Sequence, residues 1–277
     1  MITTLEQQVQ PTQIEEDSAE IIWYHNQLGH VLKPSYAIIS LGSPDMLPAE
    51  TAAEIYFNGY APHIMFTGKG GRNTEKLPRG RQGITEAKMM FEAAAEYAEK
   101  LGISSEEIEK FKETKLMEEE ATNSGMNVVY TTKVLEQKAA EEGVNIDRLI
   151  FAHMPSAERR DYKTIKHHIP DKSIEIIMVS PRVPFSQYHV KGYQGIMSRR
   201  DLIEDMLGDT QRQYVCHINE PERFLKFGYT DKQDEPMLGN VLDAYNELVE
   251  RGFIAQLMTY SDGPDKGKII PVEVGFE

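Results

Sequence analysis

The chain has 277 residues, 40% hydrophobic and 27% charged, with a formal net charge of -14. That profile belongs to a globular protein able to bury a substantial core, and it excludes a disordered chain or a general affinity for the nucleic-acid backbone, which needs a basic surface. Cys216 is the only cysteine, which excludes an intrachain disulfide and a four-cysteine zinc site and fits a reducing compartment.

Ile14 to Leu28 carries apolar residues at helical spacing behind an acidic start, so an N-terminal helix is expected. YAIISLGS follows, a continuous apolar run closed by glycine, as in a strand buried on both faces. Pro48 to Tyr60 reads as a helix, HIMFTGKGG as a second strand with a glycine-rich turn, and Thr85 to Leu101 as a helix stopped by Gly102. Lys115 to Met117 is a third short strand, leading through EEEATNSGMN into a helix from about Gly125 to Glu142. RLIFAH and IEIIMVS are the fourth and fifth strands, separated by a helix from Ser156 to His167. Strands alternating with helices of this length specify an α/β fold, a Rossmann-like three-layer sandwich with a mainly parallel sheet.

After Pro181 the pattern becomes helical, at Gly195–Leu207, around Arg212–Phe227 and at Met237–Arg251, with a possible edge strand at KIIPVEV. The expected division is an N-terminal helical segment over 1–34, a Rossmann-like core over 35–181, and a mainly helical subdomain or lid over 182–277. No run approaches the roughly 20 apolar residues that span a bilayer, so stable membrane insertion is not expected. The first residues lack the basic start and apolar run of a secretory signal, and the expected location is cytoplasmic.

In open parallel sheets the ligand crevice lies beyond the carboxyl ends of the strands. The rule selects Gly42–Asp45, Gly68–Asn73, Glu118–Asn127, His153–Arg160 and Ser180–Arg182, with Gly42 and Ser43 in the first of these. In GKGGRN, Gly68, Gly70 and Gly71 let backbone amides approach an anion and Lys69 and Arg72 add charge, though an ordinary glycine-rich turn has the same composition. In PSAERR, Ser156 stands where a cap belongs, and Arg159 and Arg160 oppose the helix dipole unless an anion or a carboxylate such as Glu158 or Asp161 compensates them. Thr122, Asn123 or Ser124 can cap the next helix, but capping leaves the adjacent acids Glu118, Glu119 and Glu120 without a reason. Alternation along an extended chain sets Glu118 and Glu120 on one face and Glu119 on the other. Glu86 begins a helix, a dipole-compensated start on its own or, in the functional reading, a carboxylate that also faces the crevice, and His153 is the histidine at a strand end. Glu86, Glu120 and His153 are the candidates for acid, base or ligand contact.

YAIISLGSPD, AAEIYFNGYAPHIMFTGKGG, TEA, EEEATNSGMN and FAHMPSAERR, in this order, resemble the YdcF, SanA and ElyC family, from about Tyr36 to Ser180 and closest to its cytosolic YdcF branch. The resemblance implies a polar pocket built from Gly42, Gly68, Gly70, Gly71, Glu86, Glu120, Thr122, Asn123, Asn127 and Arg159. The sequence departs from the family's frequent Glu-Asn pair in having Met126 before Asn127. Proteins similar to this one have been associated with S-adenosylmethionine, which makes a nucleotide-like small molecule the expected partner and S-adenosylmethionine the leading candidate. The alternatives are a metal-assisted hydrolase or transferase on a phosphorylated or nucleotide substrate, although no metal is assigned, and a non-catalytic regulator of cell-envelope physiology. The oligomeric state is not read from the sequence.

Overall fold

The computed structural model describes residues 11–71, 74–169, 171–192, 197–215, 237–259 and 264–272. Five parallel strands, β1 (Ala37–Ser40), β2 (His63–Thr67), β3 (Leu116–Glu118), β4 (Arg148–Ala152) and β5 (Glu175–Val179), form one sheet in the order β3-β2-β1-β4-β5. The register sets Ile38 of β1 between Ile64 of β2 and Ile150 of β4. The chain winds outward from β1 through β2 to β3, then crosses back to β4 on the other side of β1 and on to β5, so the direction of winding reverses between β1 and β4, where a crevice opens.

Successive side chains point to opposite faces of the sheet and seed two cores. Ile38, Ile64, Phe66, Ile150 and Ile177 pack under α2 (Leu47–Phe57), α3 (Glu86–Lys100) and Phe111 of α4 (Ser105–Thr114). Ala37, Ile39, Met65, Leu149, Phe151 and Met178 pack under α5 (Ser124–Glu142) and α6 (Glu158–His168). The three-layer sandwich read from the sequence is the observed architecture.

A third core joins α1 (Gln13–Asn26) to α7 (Phe185–Lys191), α8 (Arg199–Val215) and α9 (Gly239–Glu250). Trp23 is its anchor, with ring centroids 4.7 Å from Tyr188 and 5.5 Å from Phe185. The first helix thus packs with the C-terminal helices and shares their core.

Local structure departs from the sequence pattern in several places. The sequence reading passed over α4, although Ser104 and Glu107 form a capping box and Ile108 and Phe111 bury one side of it. Ser156 does not cap α6: the helix begins after Ala157 without a side-chain cap, and the Ser156 hydroxyl is buried without a partner among the described residues. Of the helices expected at Gly195–Leu207 and around Arg212–Phe227, residues 199–215 form the single continuous helix α8, while residues 193–196 and 216–236, including Cys216, lie outside the described residues. In KIIPVEV, Ile269 makes an isolated antiparallel bridge with Thr259, the described residues add no strand to the sheet, and residues 273–277 lie outside the described residues.

Candidate functional site

At the reversal point between β1 and β4 lies a cavity of about 410 Å³. The loop after β1 contributes Gly42 and Pro44, the glycine loop after β2 contributes Gly70 and Gly71, and α3 contributes Glu86. Thr122, Asn123, Ser124 and Asn127 come from the start of α5, and His153 and Arg160 from the end of β4 and the first turn of α6. The far wall is built by Asp205, Asp209 and Arg212 of α8, with Gln256 beyond α9. Core and helical cluster therefore share the site.

Close backbone approach shapes one side. A Cβ on Gly42 would lie 2.7 Å from Glu86 Oε2 and 2.8 Å from the Thr67 carbonyl oxygen, and one on Gly68 would lie 2.9 Å from the same Oε2. Gly68 also takes φ +110°, a conformation that disfavours other residues. Glu86 is 7% exposed, accepts from the Thr74 hydroxyl and a Gly71 amide, and has its pKa raised chiefly by burial against the lowering effect of those bonds and of His153.

The acids of the EEE run separate at the end of β3. Glu118 is buried and accepts from the amides of Gly68 at 3.3 Å, Glu120 at 2.7 Å and Ala121 at 2.9 Å, so it holds the turn together. Glu119 accepts from the Thr85 hydroxyl at 2.5 Å. The Glu120 side chain is 79% exposed and pairs at 3.9 Å with Lys69, itself 58% exposed. Glu118 and Glu120 do not share a face because the extended chain ends at Glu118. Asn123 caps α5 by accepting from the Met126 amide at 2.9 Å.

Glu120, Lys69 and Arg159, expected in the pocket, lie outside its lining, as do Ser43 and Gly68. Arg159 donates from Nε to the His25 carbonyl at 2.9 Å, and burial with the nearby guanidinium pushes the His25 pKa down to about 4. Ser43 is buried and its hydroxyl accepts from the Asp45 amide at 3.0 Å. Of the five strand-end segments, Ser180–Arg182 contributes nothing to the cavity; Ser180 donates to Glu158 at 2.7 Å.

Arg160 takes the place expected of its neighbour. Its guanidinium donates to Asp161 at 2.7 Å and 3.1 Å, pairs with Asp209 of α8, and comes within 3.5 Å of Ser124 Oγ on α5. Arg212 reaches the same Asp209 oxygen at 3.0 Å. Asp161 is also in ion-pair contact with His153 Nδ1, while His153 Nε2 faces the Gly42 carbonyl at 3.4 Å. Burial disfavours the imidazolium, but the charge and hydrogen bond of Asp161 outweigh it, and the His153 pKa stands above its ordinary value. For Asp161, burial is outweighed by Arg160 and His153, and its pKa is lowered. The result is a buried chain of alternating charge, from His153 through Asp161, Arg160 and Asp209 to Arg212. Among the described residues, no three His, Cys, Asp or Glu side chains are grouped to hold a metal ion, and no helix is long and apolar enough to cross a membrane.

No family model matches the chain. It is 31% identical over 241 residues to a protein of Streptomyces coelicolor described as uncharacterized, an alignment that covers 87% of this chain and 93% of that one.

Proposed function

The chain belongs to the same family as that Streptomyces coelicolor protein, and from this premise we propose that it is a small-molecule-binding protein whose pocket takes a nucleotide-like ligand, with S-adenosylmethionine the leading candidate. The observation that carries the reading is the polar cavity of about 410 Å³ at the reversal point of the sheet, lined by groups of both charge signs. Its volume falls within the roughly 300–1,000 Å³ of small-molecule sites, and its position is the one doubly wound sheets use for nucleotides. The carboxylates and the amides of Asn123 and Asn127 suit an amino group or ribose hydroxyls. Kinship with the YdcF, SanA and ElyC family is part of the same proposal.

Titration calorimetry of the full chain with S-adenosylmethionine tests it. Binding is expected, and no heat at millimolar ligand, where about -4 kcal/mol would register, overturns it. The His153–Asp161 contact favours a second reading, an enzyme in which a buried imidazolium acts as general acid on the bound molecule. Chromatographic recovery of the ligand after incubation separates the two: an unchanged compound supports the binder, and a converted one the enzyme.

A further inference from the structure

Two acceptor atoms in the cavity wall lack a donor. Asn127 Oδ1 and Asp209 Oδ2 are buried, belong to residues 6% and 2% exposed, and make no hydrogen bond among the described residues. A buried acceptor without a donor destabilises the fold, so such atoms mark places where another molecule supplies the hydrogen. The nearby cations are engaged elsewhere: Arg160 and Arg212 both approach Asp209 through Oδ1, and Arg160 also donates twice to Asp161. Arg160 relates the two acceptors in space. One end of its guanidinium contacts Asp209, and the other is 3.5 Å from Ser124 Oγ, three residues and so roughly one helical turn before Asn127.

Resting on the small-molecule reading above, we propose that Asn127 and Asp209 form a donor-reading subsite, accepting hydrogen bonds from amino or hydroxyl groups of the ligand. This end of the cavity then selects a neutral or cationic donor-bearing group, an amine or a sugar diol, and rejects a phosphate or carboxylate. An anion placed here would set its oxygens against two acceptors, and the Arg160 guanidinium between them is already shared by Asp161 and Asp209.

Titration calorimetry of the full chain with adenosine, S-adenosylmethionine and inorganic phosphate tests the assignment. Adenosine, which carries donors and no anionic group, is expected to bind, and phosphate is not. Asn127→Leu and Asp209→Asn each remove an acceptor at nearly constant size, and each is expected to weaken adenosine binding at least tenfold, about 1.4 kcal/mol. Phosphate that binds the wild type and tightens in Asp209→Asn overturns the subsite. S-adenosylmethionine binding that is unchanged in both variants also overturns it, while leaving the pocket reading intact. If neither nucleoside compound binds, the pocket reading fails and the ligand-free protein decides the subsite. The unfolding temperature of Asn127→Leu is expected to equal or exceed that of the wild type, because an unpaired acceptor has been removed; a fall means that the protein itself satisfies the amide and overturns the subsite.

Discussion

Gly42 and Gly68 meet across the carboxylate of Glu86, and neither has room for one more carbon. The atoms in the way include the Thr67 carbonyl oxygen and the Cα of the opposite glycine, backbone atoms at the ends of the paired strands. Gly42→Ala is therefore expected to lose about 1–3 kcal/mol to overpacking, read as a lower urea midpoint at unchanged slope. Gly71→Ala is the control, since an added Cβ there meets nothing within 4 Å, and its midpoint should stay close to wild type. The sequence displayed these glycines but not their different demands, because GKGGRN says nothing about which position touches Glu86. The same limit explains Arg159 and Arg160: one residue along a helix turns a side chain by about 100°, and the adjacent pair offered no means of choosing. One faces the carbonyl of His25, the other the cavity.

Elements meet at Arg160. It lies on α6, pairs with Asp209 of α8 and approaches the start of α5, so one guanidinium ties three helices at the mouth of the sheet. Arg160→Met keeps the hydrocarbon stem but leaves Asp161 and Asp209 with one fewer cation each. Breaking a buried pair from one side costs about 3–5 kcal/mol, so this variant is expected to unfold at markedly lower urea, and a loss under about 1 kcal/mol would show that the network is solvated. The strands and most helices were legible because buried parallel strands are unbroken apolar runs and the helices between them repeat near 3.6 residues. The far wall was not. Asp205, Asp209 and Arg212 stand at i, i+4 and i+7, which puts them on one side of α8, yet charged residues at that spacing normally mark a solvated face. The strand-end rule, which looks only at loops after strands, cannot reach them.

At the scale of the whole molecule, the helical cluster is latched to the sheet by a buried carboxyl. Asp45, in the loop after β1, accepts from the Tyr188 hydroxyl of α7 and from the Leu47 amide, and its pKa is pushed up to about 6, chiefly by burial, with those bonds pulling it back. A folded-state pKa above the unfolded one means that the folded protein retains a proton the unfolded chain has released. The stabilisation is complete below about pH 4 and disappears as pH rises through about 6, a change of about 2–3 kcal/mol. Asp45→Asn is expected to flatten the unfolding temperature across that window and to gain on the wild type at pH 7 and above. Parallel pH profiles for the two proteins would reject the latch.

The wall contributed by α8 has an evolutionary consequence. The strand-end loops are constrained twice, by the sheet they terminate and by the cavity they line, whereas one face of α8 lines that cavity on a helix whose fold depends on a different core. On the small-molecule reading proposed above, ligand preference can thus diversify by substitution along that single face while the sheet keeps its sequence.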